Sequence, residues 1–281
     1  MTKIIYFDID GTLRSEMNKV SQKTKYAIEQ CSKNGIICVI CTGRNPGSIQ
    51  EDIKKLPMSG VISGGGCFVK YKNKILSEEY FQRDIVKKII DACFEDKIAI
   101  SLESKKNIYM NKSAAEFYKN DFVKKIKHYN LQLQNEIYKD HKICFQDNMK
   151  EFEKENPNIH KICVIGRYSF INWLSTEMKE KISVIQMRRW ENSWYLELLP
   201  KGCNKGKAIH DLNQQLNIDR VDTMCFGDSE NDIDMMKESE IAIAMNNSIL
   251  KSVASSICES VEDDGIYKEL VRRKIIRPEE Q

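Results

Sequence analysis

Residues 4–12 read Ile4-Ile5-Tyr6-Phe7-Asp8-Ile9-Asp10-Gly11-Thr12, and their order governs how the rest of the chain is read. Four apolar residues in a row form the pattern of a short strand buried on both faces. Two aspartates follow where such a strand ends. In an extended chain, residues two apart face the same side, so Asp8 and Asp10 project together while Ile9 points away. Gly11 allows the tight exit from the strand. A plain Asp-Gly-Thr turn needs one acid, yet a second sits where the strand should still be apolar. The full pattern would arise by chance in roughly one chain of several hundred. Two carboxylates held this close repel, so one must be protonated or neutralised. A hard cation with oxygen ligands is the economical answer, and Mg²⁺ usually keeps waters and shares itself with a phosphate.

Outward from this motif, the first third alternates strand and helix. Ser21 offers an N-cap to a helix that carries Tyr26, Ile28 and Cys31 and stops at Asn34-Gly35. A strand over 36–41 ends at Thr42-Gly43-Arg44, Pro46 opens a helix ending near Leu56-Pro57, and 61–63 starts a third strand. The last third repeats the pattern: a helix over Lys205–Leu216, strands at 224–226 and 241–244, a helix over 232–238, and two closing helical stretches. Such alternation with short loops predicts an α/β fold built on a parallel sheet. Between these parts the pattern changes. Helices are expected over 85–94, 114–129 and 170–181, and strands over 98–102 and 108–110. The runs 183–188 and 193–198, separated by Trp190-Glu191-Asn192, predict a hairpin. The expected organisation is a core from 1–82 and 200–281 with an α+β domain inserted over 83–199, in line with a length of 281 residues.

A second acidic cluster, Phe226-Gly227-Asp228-Ser229-Glu230-Asn231-Asp232, follows a short apolar strand and should reach the same sheet edge. Asp228 can complete a cation site with Asp8. Asn231 and Asp232 fall in the first turn of the next helix, where N–H groups are free and anions are favoured. Helix capping by Asp228 or Ser229 would explain one polar residue, not the set. Thr42-Gly43 offers a hydroxyl and an unobstructed N–H to a phosphate oxygen. Lys205, in a Gly-containing loop that opens a helix, supplies a point charge for a phosphoryl group.

Composition narrows the function classes. The chain carries 44 basic and 41 acidic residues, a net charge of +3, which argues against a dedicated nucleic-acid or membrane-surface binder. No apolar run approaches the ~20 residues needed to span a bilayer. The N-terminus lacks a signal-peptide pattern, so a cytoplasmic protein is expected. The ten cysteines show no pairing pattern. Cys38 and Cys41 form a CxxC, but on a strand residues three apart face opposite ways, so reduced structural thiols are expected. The four histidines, His128, His141, His160 and His210, make no ligand spacing and are expected at the surface or behind the site.

Taken together, Asp8-x-Asp10-Gly-Thr, Thr42-Gly43-Arg44, Lys205-Gly206 and Gly227-Asp228-x-x-Asn231-Asp232 resemble the motifs of the haloacid dehalogenase superfamily, and within it the Cof-type phosphatases with a class IIB cap. Ala244-Met245-Asn246-Asn247 is similar to that family's Ala-Met-Gly-Asn segment, with Asn246 replacing glycine. Glu262-Asp263-Asp264-Gly265-Ile266 is similar to its Glu-Asp-Gly-Val segment, with one residue more. The resemblance implies a Rossmann-like parallel-sheet core with an inserted α+β cap that selects the substrate. It implies that Asp8 attacks phosphorus and becomes an aspartyl phosphate, while Asp10 protonates the leaving alkoxide and then deprotonates water. It further implies Mg²⁺ held by Asp8, the main-chain oxygen of Asp10, and Asp228. Thr42, Gly43, Lys205, Asn231 and the backbone N–H of Ile9 would bind phosphoryl oxygens, and Asp232 would touch the metal through water or orient Lys205. Arg188 and Arg189 could meet an anionic substrate, although solvated surface positions suit them better. The implied activity is Mg²⁺-dependent hydrolysis of small phosphorylated metabolites, sugar phosphates or similar phosphomonoesters, by a monomer or weak homo-oligomer. A phosphomutase of the phosphomannomutase type and a non-catalytic phospho-ligand sensor are the alternatives. A dehalogenase is disfavoured because Asp10 serves an oxygen leaving group.

Overall fold

The computed structural model describes residues 2–15, 18–141, 145–190, 193–246 and 248–279. The expected hairpin turn at 191–192 and Asn247 lie outside the described residues, as does the side chain of Arg188. The chain divides into two compact units, one of Met1–Gly43, Ile49–Glu78 and Asn204–Gln281, the other of Arg44–Ser48 and Glu79–Cys203.

In the first unit, β1 (Ile4–Phe7), α1 (Gln22–Lys33), β2 (Ile37–Cys41), α2 (Glu51–Lys54), β3 (Gly60–Ser63), β4 (Phe68–Tyr71) and β5 (Lys74–Glu78) precede the second unit. The second unit holds α3 (Arg83–Glu95), β6 (Ala99–Ser104), β7 (Ile108–Met110), α4 (Lys112–Ile126), α5 (Leu131–His141), α6 (Met149–Glu155), β8 (Ile159–Gly166), α7 (Tyr168–Glu177), β9 (Ile182–Trp190) and β10 (Ser193–Pro200). The chain then returns through α8 (Lys205–Leu216), β11 (Thr223–Gly227), α9 (Ile233–Lys237), β12 (Ile241–Met245), β13 (Ser256–Cys258) and α10 (Gly265–Arg272).

The first unit's eight strands run in the order β13-β12-β11-β1-β2-β3-β4-β5. All pairings from β13 to β3 are parallel, and β4 and β5 add an antiparallel hairpin at one edge. β1 is central, so each of its side chains is buried. Ile5 and Phe7 pack with Ala27, Ile28 and Cys31 of α1 and with Ile266 and Leu270 of α10 on one face. Ile4 and Tyr6 pack with Ala208, Ile209 and Leu212 of α8 and Met235 and Met236 of α9 on the other. Ser21 caps α1 by accepting from the Thr24 N–H at 3.1 Å, and Gly35 takes the left-handed turn beyond its end with φ of +79°. Cys38 and Cys41 fall in the clusters on opposite faces. The nine described cysteines are buried and unbridged.

The structure departs from the expectations at three points. The helix expected from Pro46 to Leu56 is a 3₁₀ turn at Pro46–Ser48 followed by the short α2, because residues 49 and 50 leave helical geometry between them. β13 is a strand not expected between the two closing helical stretches, the 3₁₀ turn Ile249–Ser252 and α10; it is three residues long, too short for its alternation to register. His160 is buried on β8 rather than at the surface.

The second unit's sheet is antiparallel throughout, in the order β7-β6-β8-β10-β9. Ile100, Leu102, Ile162, Val164, Leu196 and Leu198 face α3 and α7 in one core. Ala99, Cys163, Ile165 and Tyr195 face the other way, against Ala114 and Ala115 of α4. The unit boundaries lie at 78/79 and 203/204 rather than 82/83 and 199/200. Phe81 belongs to the second core, and β10 runs unbroken to Pro200. The segment Arg44–Ser48 also belongs to this unit, which sequence pattern did not suggest. The buried Asn45 amide donates to the carbonyls of Ser104 at 2.6 Å and Asn107 at 3.4 Å, and Gly47 N–H donates to Lys105 O at 2.9 Å.

Just past β1, Arg14 is almost fully buried and its guanidinium meets Asp52 at 3.0 Å. The other Asp52 oxygen accepts from the Val20 N–H at 2.9 Å, so this pair ties the loop after β1 to α2. Removing one partner of a buried pair leaves a desolvated charge, so Asp52→Ala is expected to destabilise the protein by about 3 kcal/mol in urea unfolding. A loss below about 1 kcal/mol would show that the pair is not a structural tie.

Candidate active site

Strand register assembles the site. Phe7 pairs with Ile40 on one side and Phe226 on the other, and the Phe7 and Phe226 rings stack at 5.5 Å. The residues that follow β1, β2 and β11 therefore emerge along one edge of the sheet, the carboxyl edge where open parallel sheets bind ligands. Asp8 N–H donates to Phe226 O at 3.1 Å, which carries the ladder one residue further. The Ile9 side chain is fully buried in the cluster of Phe7, so only its backbone is available to the site. Gly11 has φ of +80°, and a Cβ there would run into the Asp228 carboxylate. No other residue satisfies both conditions. Asp10 bridges to Arg14, and Gly11 N–H donates to Arg14 O at 2.8 Å, closing the turn.

Lys205 begins α8, with Asn204 as N-cap accepting from Lys207 N–H at 2.7 Å. The lysine is almost fully buried, and its ammonium donates to Asp8 Oδ1 at 2.7 Å, Asp232 Oδ1 at 2.6 Å and Asn231 Oδ1 at 3.0 Å. An ammonium has three protons, and each has an acceptor. Asp232 Oδ2 accepts from the N–H groups of Asp228 at 3.0 Å and Ser229 at 3.1 Å. Both Asp232 oxygens are thus committed, one to aiming Lys205 and one to shaping the loop that presents Asp228.

Thr42 is pinned at the end of β2: its N–H donates to Ile62 O at 2.9 Å and its carbonyl accepts from Gly65 N–H at 3.1 Å. A Cβ on Gly43 would stand 3.2 Å from the Asn231 amide nitrogen, which places Thr42-Gly43 and the Asn231 loop side by side. Asp8, Asp228, Asp232, Lys205, Asn231, Thr42 and Gly43 all lie in the first unit. Thr12, the last residue of the first motif, donates to Asp228 Oδ1 at 3.3 Å. Its signal was its place in the motif, but the partner lies 216 residues away. The side chain of Arg189 is exposed.

Carboxylate oxygens of Asp8, Asp228 and Asp232 lie within 4.8 Å of one another. Burial pushes the Asp8 carboxyl well above its ordinary range; Lys205 pulls it down, while Asp232, Asp228 and Asp10 push it up. Burial and the Asp232 charge carry Asp228 up to about 7. On Lys205, burial acts downward but Asp232 and Asp8 outweigh it, so the ammonium stays charged. One ammonium does not neutralise this many acids. Asp8 and Asp228 retain oxygen lone pairs, and the excess negative charge fits an oxygen-preferring divalent cation.

Residues 5–270 match the family of haloacid dehalogenase-like hydrolases. The chain belongs to that family. The YxeH protein of Bacillus subtilis is 26% identical over 260 residues, covering 89% of each chain. The 5-amino-6-(5-phospho-D-ribitylamino)uracil phosphatase YwtE of the same organism is 25% identical over 287 residues, covering 94% of this chain and 95% of its own. Among solved structures, the haloacid dehalogenase subclass IIB sugar phosphatase BT4131 superposes with a TM-score of 0.75 at 21% identity, covering 98% of this chain and all of that one. This haloacid dehalogenase-like hydrolase therefore shares the fold of that structure.

The Asp228 carboxyl titrates near 7 when folded, against about 3.9 for a free aspartate. Between those values the folded protein holds the extra proton, so cation-free stability is greatest below about pH 4 on this account and declines as pH rises through about 7. Urea midpoints measured with EDTA present are expected to fall from about pH 5 to about pH 8, with a shallower fall in Asp228→Asn. A midpoint that rises over that interval would contradict the assignment.

Proposed function

We propose that the protein is a Mg²⁺-dependent phosphatase of small phosphorylated metabolites, acting through an aspartyl phosphate on Asp8. The observation that carries this reading is the state of the Asp8 carboxylate. It is buried and aimed by Lys205 through Oδ1, yet Oδ2 takes no hydrogen bond among the described residues. A nucleophile needs this combination: fixed direction, a desolvated charge, and lone pairs not consumed by the protein.

Asp8 attacks phosphorus, forming an acyl phosphate as the bond to the leaving alkoxide breaks. Asp10, protonated at this stage, gives its proton to that alkoxide; such transfer contributes about 10²–10⁴-fold. The Asp10 carboxylate then takes a proton from the water that attacks the acyl phosphate, and inorganic phosphate leaves with Asp8 restored. Lys205, Asn231, the Thr42 hydroxyl, and the N–H groups of Gly43 and Ile9 serve the phosphoryl oxygens. Asp232 keeps Lys205 in line. Mg²⁺ would be held by Asp8, the main-chain oxygen of Asp10 and Asp228, and when bound screens Asp8 from the phosphate it approaches.

The cap, taken as the insertion read over 83–199, is assigned the choice of leaving group. The relatives' names support this: a ribitylaminouracil phosphatase and a sugar phosphatase share nearly the whole length of this chain. No helix among the described residues is long and apolar enough to cross a membrane. With the balanced charge, this supports a cytoplasmic enzyme whose partners are small phosphomonoesters rather than nucleic acid or membrane.

Asp8→Asn is expected to lower Mg²⁺-dependent release of phosphate from p-nitrophenyl phosphate by about 10³-fold or more while far-UV circular dichroism is unchanged. Undiminished turnover in that variant would remove Asp8 as nucleophile. Isomer formation from a hexose phosphate without phosphate release would instead mark a mutase.

A further inference from the structure

Lys205 is not the only polar residue on the buried side of α8. Lys205, Ile209, Leu212 and Asn213 recur at the spacing i, i+4, i+7, i+8 and form the buried stripe that faces the sheet. Ile209 and Leu212 pack with Ile4 and Tyr6. Asn213 adds directed bonds among these apolar contacts. Its Oδ1 accepts from the Tyr6 hydroxyl at 2.8 Å, and its Nδ2 donates to Thr223 Oγ1 at 3.1 Å. Thr223 Oγ1 donates in turn to Asp219 O at 3.2 Å. Tyr6, Asn213 and Thr223 are all buried.

The two ends of the stripe meet the same pair of strands. Tyr6 belongs to β1 and Thr223 to β11, where Thr223 pairs with Ile4. Lys205 meets Asp8, two residues beyond Tyr6, together with Asn231 and Asp232, which follow β11. Asn213 stands eight residues, or about 12 Å of helix, beyond Lys205. A Cβ on Gly206 would stand 2.6 Å from Asp234 O of α9, so the first turn of α8 has no slack toward that helix. Apolar burial is non-directional, so Ile209 and Leu212 hold α8 to the sheet without fixing where along β1 it stands. Lys205 has no such latitude, because its three bonds of 2.6 to 3.0 Å would not survive a shift of about 1 Å. For stability alone an apolar pair would serve as well as Tyr6 and Asn213, and the best-attested use of a buried polar group is to set register.

We propose that Asn213 is a positioning residue for the phosphoryl-transfer site, anchored by Tyr6 and Thr223. The buried tether sets the register of α8 against β1 and β11 and so holds Lys205 in line with Asp8. The assignment rests on the phosphatase reading and deepens it by naming what aims the lysine. The three tether residues act through Lys205 and not on substrate. Without the tether, α8 stays folded on its apolar stripe but Lys205 shifts, and a misplacement of about 1 Å can cost about 10²-fold in rate.

The test measures kcat for p-nitrophenyl phosphate in the full-length protein with Mg²⁺, beside the urea midpoint of each variant. Tyr6→Phe removes one hydroxyl and is expected to lower kcat about fivefold or more in protein that far-UV circular dichroism shows to be folded. The double variant Tyr6→Phe/Asn213→Leu makes both partners apolar. It is expected to recover most of the urea midpoint that Asn213→Leu alone loses, while kcat stays down about tenfold. Ile209→Val, on the same stripe but outside the tether, is expected to lose midpoint and keep kcat within about twofold of the parent. A tether that served stability alone would return kcat together with the midpoint in the double variant. That recovery, or kcat within about twofold of the parent in both Tyr6→Phe and the double variant, would overturn the assignment. Asp8→Asn is assayed alongside. Its loss of activity with undiminished kcat in the tether variants fails the tether alone. Undiminished turnover in Asp8→Asn, or no hydrolysis by the parent, fails the phosphatase reading and this inference with it.

Discussion

One ammonium organises the core. Lys205 Nζ spends its three protons on Asp8, Asn231 and Asp232, residues that arrive from the ends of β1 and β11. Without that charge, burial and the neighbouring acids would raise the Asp8 carboxyl further still. Without Asp232, which Lys205 also grips, the loop carrying Asp228 would lose the acceptor for two of its N–H groups. The lysine is thus at once an electrostatic partner for the buried Asp8 carboxyl and a structural tie for the loop beside it. Its own position depends on α8 starting at that residue, which the Asn204 cap secures.

The apolar strand β1 makes this concentration of charge tolerable. It is flanked by β2 and β11 and covered by helices on both faces, so the charged groups stand on the most constrained part of the sheet. Register there is set by full burial, because a one-residue slip would turn Ile9 toward the acids and Asp8 into the α1 face. The Phe7–Phe226 stack reinforces the same alignment on the α1 side. Precision at the site is a consequence of burial beneath it.

What was legible in the sequence was local. Asp8 and Asp10 announced themselves because acids interrupt an apolar strand, Lys205 because a glycine-containing loop opens a periodic helix there, and Cys38 and Cys41 because strand geometry separates them. The remainder depends on partners distant in the chain. Thr12 gains meaning only through Asp228, and Arg14 only through Asp52. The β4–β5 hairpin carries mostly half-exposed residues, so its hydrophobic alternation is weak. The Arg44–Ser48 segment looked like the start of a helix, but the Asn45 side chain satisfies carbonyls of the β6–β7 turn instead. Orienting Lys205 was one of two tasks the motif offered Asp232, and the three hydrogen bonds to its two oxygens add the loop that carries Asp228 to that task.

The two sheets distribute stability and chemistry by different geometries. In the core, both faces of the sheet are apolar and the charge is confined to its carboxyl edge, where strand ends and helix starts leave backbone donors free. In the second unit, an antiparallel sheet packs α3 and α7 against one face in its larger core and α4 against part of the other. The alternation of strand side chains then releases the other face to carry Glu103, Lys161 and Glu197 without breaking the first core. A parallel edge presents few groups at tightly fixed distances, which suits a reaction that is the same for every substrate. A sheet face presents many, and any can be exchanged independently of the core behind it.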